Sequence, residues 1–189
     1  MRLQEIRFRP ALLTDVEPIA RLHAESWRLT YRGILRDEFL DSDVVPERIA
    51  TWERRLCSNN PDQFIMIAEQ AQGLLGFVCV YAREDPVWGS LVDNLHVQQE
   101  SKGQGIGTQL MYAAADWLEQ HHPTTGIYLW AMKANHPAHR FYERLGAIQQ
   151  GEELRENPGG GSAQNLRYIW ASPGSLLQRA EVNSADEPR

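Results

Sequence analysis

The segment Lys102-Gly103-Gln104-Gly105-Ile106-Gly107-Thr108 has the residue types and spacing to hold an anion. Glycines there admit positive φ and let a ligand come close to the backbone. If a helix begins at its end, the first amides of that helix have no intrahelical acceptor. Those amides and the helix dipole together favour phosphate. Lys102 adds a positive charge at the rim. Two familiar phosphate loops do not match. The P-loop requires a lysine after its last glycine, and Thr108 follows Gly107. The dinucleotide fingerprint requires a third glycine where Thr108 stands. The alternative is a glycine-rich turn that only joins a strand to a helix.

Other candidate chemistry is thinner. His121 and His122 are adjacent and so point in different directions. His136 and His139 are three apart, but no cysteine or carboxylate pattern accompanies them, so no metal site is expected. Cys79 lies in the apolar run GFVCVY and is expected to be buried. Cys57 ends a helical pattern. Two cysteines give no disulfide framework.

The elements that must position the loop can be read on both sides of it. Leu91–Val97 alternates as a strand, with Leu91, Asp93, Leu95 and Val97 on one side and His96 on the other. Ile106, Leu110, Ala113, Ala114, Trp117 and Leu118 then form the apolar stripe of a long helix. Upstream, Glu5–Arg9 predicts a first strand. Thr14 with Glu17 predicts a capping box for a helix reaching about Tyr31. Asp37–Leu40 suggests a helical turn, and Pro46 opens a helix through Leu56. Gln63–Glu69 and Leu74–Tyr81 predict a hairpin. Downstream, Ile127–Met132 is an almost wholly apolar strand, the pattern of one buried on both faces. Ala138, Phe141, Tyr142 and Leu145 mark a short helix closed by Gly146. Ala147–Gly151 and Leu166–Ala171 predict two last strands, joined through the flexible run Asn157–Ser162. Hairpins beside strand–helix–strand crossovers imply an α/β or α+β architecture, a mixed sheet flanked by helices.

The chain has 189 residues, enough for one domain with a sizeable core but cramped for two. Residues 1–171 are expected to form that domain, and 172–189 a loosely ordered tail. The formal net charge of -6 provides no basic footprint for nucleic acid. No stretch approaches the roughly 20 apolar residues of a membrane span, and the N-terminus lacks a secretory apolar core. The expectation is a cytoplasmic protein with neither nucleic acid nor membrane as partner.

With these residues in place, the chain resembles the GNAT superfamily of acyl-CoA N-acyltransferases. Lys102–Gly107 is similar to that family's motif A, Q/R-x-x-G-x-G/A, preceded by Leu95-His96-Val97 as its central strand. Leu129–Ala147 resembles the next block, an apolar strand, an asparagine (Asn135) and a helix carrying Phe141-Tyr142-Glu143. Ile6–Leu40 resembles the family's N-terminal strand and first helices. The likeness spans about Ile6 to Ala171. It departs at Lys102, where the family usually has Gln or Arg. The charge is kept and the planar fork is lost, so altered pyrophosphate contact is expected.

The resemblance implies a GNAT fold with acetyl-CoA as co-substrate and no metal. Acetyl-CoA would lie where the central strand splays from Ile127–Met132, its pyrophosphate on the amides of Lys102, Gly103, Gln104, Gly105, Ile106, Gly107 and Thr108. Its pantetheine arm would run along Leu95, His96 and Val97, where a backbone N–H would stabilise the developing oxyanion. Asn135 matches the family position that binds the pantetheine arm, and it also suits a helix N-cap. Tyr142 matches the general acid that protonates the departing sulfur; the other reading is packing beside Phe141. Asp93 is the candidate base for the acceptor amine, against a solvated or salt-bridged carboxylate, with His96 ranked behind it. Trp27 and Tyr31 could wall the acceptor slot or be core aromatics.

The implied activity is direct transfer of acetyl to a primary amine of a small molecule. The rivals are an acetyltransferase for protein or peptide N-termini and a catalytically silent acyl-CoA sensor. A homodimer is expected by family analogy.

Overall fold

The computed structural model describes residues 5–185. Seven strands form one sheet: β1 (Arg7–Pro10), β2 (Gln63–Gln70), β3 (Gly73–Asp85), β4 (Gly89–Val97), β5 (Ile127–Met132), β6 (Ile148–Glu156) and β7 (Ser162–Trp170). Five helices accompany them: α1 (Val16–Thr30), α2 (Val44–Cys57), α3 (Ile106–His121), α4 (His136–Arg144) and α5 (Pro173–Ala185). The strand order is β1-β2-β3-β4-β5-β7-β6, and every neighbouring pair is antiparallel except β4 with β5. This is the mixed, helix-flanked sheet that the hydrophobic periodicities imply.

Strand β3, in the interior of the sheet, is apolar without alternation because both its faces are covered. Val78 and Val80 pack under α3 with Leu110, Met111, Ala114 and Leu118. Phe77 and Cys79 face the other way, against Ile19 and Leu22 of α1 and Trp52 of α2. Truncating one of these side chains, Leu110 for example, would cost about 2–5 kcal/mol. No helix among the described residues is long and apolar enough to cross a membrane.

Four local readings change. The capping box at Thr14 does not form, and α1 begins only at Val16. Asp15 serves that entry instead, accepting the Leu12 N–H at 2.7 Å while its carboxylate takes both terminal nitrogens of Arg9. The helix expected from Pro46 begins at Val44, following a short π-helical turn, Phe39–Asp43. The last two strands are longer than expected and make a hairpin around residues 157–161. Finally, the expected loose tail contains α5. Ser172 and Ser175 cap its start reciprocally (3.2 and 3.3 Å), Pro173 occupies its first position, and Leu176 is fully buried in the core under α3. Residues 186–189 of that expected tail lie outside the described residues.

Candidate active site

The sheet opens at its one parallel seam. β4 and β5 pair only at Ser90↔Ile127 and Leu91↔Tyr128, and beyond Leu91 the two strands separate. The far edge of β4, from Asp93 to Val97, and the end of β5 are therefore the walls of a wedge. α3 starts at the mouth of this wedge and α4 follows directly from β5.

The glycine loop sits at that mouth. Gly103 and Gly105 have φ of 81° and 78°, in the left-handed region where a side chain is strained. Gly105 is the N-cap of α3 and accepts the Gln109 N–H at 3.0 Å. Among the described residues, none supplies an acceptor to the backbone N–H groups from Gly103 to Thr108. The space a Cβ would fill at Gly103 and Gly105 is open. Unpaired amides, free space and a helix N-terminus fit a pyrophosphate. Gly107 has a different role. Its Cα side lies against the Phe141 ring and Val97, where a Cβ would sit 3.4 and 3.6 Å from them. Ile106 is buried and anchors the helix, so it offers the site only its amide. Lys102 reaches outward to the Gln99 side chain at 2.8 Å, and Gln104 leans back on the Glu100 carbonyl. Leu95 and Val97 turn their side chains into the core under α3 and leave their backbone at the wedge.

Asp93 lies on the other face from the one its spacing predicts. Cys79 pairs with Asn94 but Val80 pairs with Val92, so Asp93 is the extra residue of a β-bulge. The bulge turns Asp93 and Asn94 to the same side, toward α2, where Arg55 grips both. One guanidinium nitrogen donates to the Asp93 carboxylate at 2.6 Å and the other to the Asn94 carbonyl oxygen. The expected grouping of Asp93 with Leu95 and Val97 is thus replaced by a bridge to α2. Asp93 is the nearest charge to Arg55, and that proximity holds the guanidinium charged despite its burial.

His96 faces opposite Leu95 and Val97, as alternation predicts. Its Nδ1 meets the Ser26 hydroxyl at 2.8 Å, and its ring lies 4.4 Å from His23 and 5.3 Å from Phe77. Burial, with Arg48 and Lys102 adding repulsion, lowers its pKa to about 3, so the imidazole is neutral. His23 is fully buried and neutral for the same first reason. Its Nδ1 accepts the Trp52 indole N–H at 3.2 Å.

Tyr142 stands on α4 between Phe141 and Trp170, with ring centroids 5.2 and 6.3 Å away. Burial pushes its phenol pKa above the usual 10, and Tyr31 pushes the same way. The proton therefore stays on the oxygen until a strong acceptor arrives. Asn135 caps α4, its side-chain oxygen accepting the Ala138 N–H at 3.3 Å. It also faces the hydroxyl of Tyr31. Tyr31, at the end of α1, thus lies close to Asn135 and Tyr142 on the β5 side of the wedge. Trp27 touches Tyr31, with ring centroids 6.3 Å apart, but lies deeper. It is core, with the Arg48 guanidinium 4.5 Å over its ring and Phe39 beside it.

Sequence reasoning missed Arg55, Ser26 and His23. Arg55 left one trace: it sits three residues after buried Trp52, on the covered face of α2, where a cation needs a partner.

A second feature lies at the β6–β7 hairpin. Gly159, at the tip of the β6–β7 hairpin, has a φ of 78° and lies flat on the Phe39 ring, leaving no room for a Cβ. Arg36 runs alongside Gly160. The hairpin tip is thereby docked on the α1–α2 connection.

Comparison with known proteins agrees with this geometry. The chain is 26% identical over 158 residues to the uncharacterized N-acetyltransferase YuaI of Bacillus subtilis, covering 82% of this chain and 87% of that one. It is 29% identical over 147 residues to the probable N-acetyltransferase Rv2775 of Mycobacterium tuberculosis, covering 76% and 80%. Its fold superposes on the PaiA N-acetyltransferase of Thermoplasma acidophilum in complex with coenzyme A, with a TM-score of 0.67, 19% identity and coverage of 88% and 99%. It also superposes on Arabidopsis thaliana NAA60 in complex with a bisubstrate analogue, with a TM-score of 0.62, 21% identity and coverage of 88% and 97%. Residues 20–147, from α1 through the glycine loop to the end of α4, match the acetyltransferase (GNAT) family. This protein belongs to the GNAT family and is an acyltransferase.

Proposed function

We propose that the protein transfers the acetyl group of acetyl-CoA directly to a primary amine of a small molecule. The observation that carries this is the wedge itself: unpaired amides at its mouth, a bare β4 edge along one wall, and Tyr142 with Asn135 on the other. Acetyl-CoA, when bound, supplies an acyl carbonyl already activated by its thioester. The amides of Gly103 to Thr108 hold the pyrophosphate, and Lys102 can leave Gln99 to reach it. The edge of β4 from Asp93 to Val97 offers the N–H that stabilises negative charge on the carbonyl oxygen. Tyr142 keeps its proton at neutral pH and delivers it to the leaving sulfur.

An acceptor amine must lose its proton on the opposite side. Asp93 can take it only by loosening from Arg55. His96 is the other titratable group on β4, neutral and oriented by Ser26, but burial lowers its pKa to about 3 and makes it a weak base. The docked hairpin tip supports a small acceptor over a polypeptide, because it closes one side of the slot that a peptide would run through.

Thiol release from acetyl-CoA, measured over a panel of amines, tests the activity. Tyr142→Phe should lower kcat by about 10²-fold or more and leave acetyl-CoA affinity within about twofold. An unchanged kcat would remove the acid role. A protein that binds acetyl-CoA yet releases no thiol with any amine would be a sensor.

A further inference from the structure

A groove of about 560 Å³ opens at the outer end of β5, between the loop after α1 and the start of β7. That volume suits a small ligand. Its floor is apolar, with Ile34 and Met132. Its polar lining is Lys133, His136, Ser162 and Gln164, and no carboxylate lines it. Met132 and Ala134 place it next to Asn135, which lies on the β5 side of the wedge and meets the Tyr31 hydroxyl.

The surroundings are short of acceptors. Neither the Ser162 hydroxyl nor the Gln164 side-chain amide has a partner among the described residues. Asn157, at the root of the docked hairpin, is buried with its Nδ2 group unpaired. Arg36, beside Gly160, has no carboxylate within 4 Å among the described residues, because Asp37 and Asp41 are held by Arg32. Lys133 does touch Glu152 at 2.9 Å, but the two side chains are 57% and 53% exposed. An ion pair so open to water is weak and exchanges readily. A second ammonium group, as in a diamine, would meet Lys133 here, and the lining of the groove itself offers it no carboxylate.

We propose that this groove binds the far end of the acceptor and that this end is a carboxylate, so that the acceptor is a small amino acid or a short peptide read at its C-terminal carboxylate. The proposal rests on the acetyl-transfer reading above. Lys133 supplies the charge, Ser162 and Gln164 donate to the carboxylate oxygens, and Met132 and Ile34 take the hydrocarbon between. The net acidity of the whole chain, which would favour a cationic acceptor, does not extend to this groove.

The test compares single amino acids and dipeptides with their methyl esters, and both with putrescine, in the thiol-release assay. The acids should exceed their esters and the diamine by at least tenfold in kcat/KM, with the difference in KM. Lys133→Met should remove that preference by raising KM for the acids alone, and Lys133→Arg should restore it. Single amino acids preferred over dipeptides mark a free amino acid as the source of the carboxylate, and the reverse marks a peptide end. Esters or putrescine used as well as the acids would overturn the proposal, as would a Lys133→Met effect shared equally by acid and ester. A thermal-shift titration with acid and ester in the absence of acetyl-CoA reads the groove independently of turnover. Acid-selective binding abolished by Lys133→Met, with no thiol release from any amine, would sink the acetyl-transfer reading and leave the groove standing. Equal shifts, or none, overturn the groove.

Discussion

Two glycines in the same loop, two positions apart, should respond to alanine with opposite signs. Gly105 has a φ of 78° and caps α3, with open space around it. Alanine there meets no neighbour, so its cost is the left-handed backbone alone, about 1–2 kcal/mol. That cost can appear in two places. If the loop keeps its shape, the fold bears it, and Tm falls by about 2–8 °C for a chain of this size. If the loop relaxes, the amides turn away and the Kd for coenzyme A rises by about 5- to 30-fold. Gly107 has no positive φ and lies inside the first turn of α3. A Cβ there rests against Phe141 at 3.4 Å and Val97 at 3.6 Å, ordinary contact distances. Alanine also spares the helix the backbone entropy of glycine, a gain of up to about 1 kcal/mol. Gly107→Ala should therefore leave Tm unchanged or raise it by up to about 4 °C, with coenzyme A binding retained. Thermal unfolding and calorimetric titration of both variants with coenzyme A make the comparison. A Gly105→Ala protein unchanged in both Tm and Kd would refute the account of the cradle. So would a Gly107→Ala protein less stable than Gly105→Ala.

The remaining predictions concern charge. Arg55→Met should destabilise the fold by about 1–3 kcal/mol, because it strips Asp93 and Asn94 of their shared donor; Asp93→Asn should cost less, and urea unfolding of the two variants gives the order. If Asp93 is also the base, Asp93→Asn will shift the acidic limb of the pH–rate profile; if His96 is, His96→Gln will do so and Asp93→Asn will not. Acid stability follows from the two adjacent buried imidazoles. In the unfolded chain His23 and His96 take up protons near pH 6.5, whereas in the fold both resist protonation until far lower pH. The unfolded state then binds the extra protons, so stability falls as the pH drops below about 6.5, by about 1.4 kcal/mol per pH unit for each histidine. Between pH 6.5 and 5.5, where the unfolded histidines are still titrating, denaturant melts should show a loss of about 2 kcal/mol for the pair, and His96→Gln should halve it.

The sheet and its helices were readable because their signals are local. The apolar run of β3, the helical stripe of α3 and the asparagine cap of α4 each lie within a dozen residues. The glycine loop was readable for the same reason, since its function comes from backbone conformation, which glycine advertises. The bulge at Asp93 leaves no such mark. Strand alternation placed Asp93 with Leu95, and only the pairing to β3 shows the extra residue that turns it toward Arg55. α5 was hidden by composition, for its small polar residues mask Leu176, whose burial depends on α3 more than fifty residues upstream. Tyr31 and Asn135 meet across about a hundred residues of chain. Spacing along one helix linked Tyr31 to Trp27, and the rings do meet, 6.3 Å between centroids, but it gave no hint of Asn135.

The seam between β4 and β5 also bears on the mechanics of the protein. Two residue pairs join a four-stranded half to a three-stranded half, so the sheet behaves as two stiff plates with a stitch at one end. Helix α3 packs on the four-stranded half, and at the other end the Tyr31 hydroxyl meets Asn135 close to Tyr142. A molecule lying along β4 adds rungs to the gap between plates. A molecule too short to span from the glycine loop to the bulge would leave the wedge unbraced even if it bound at the mouth.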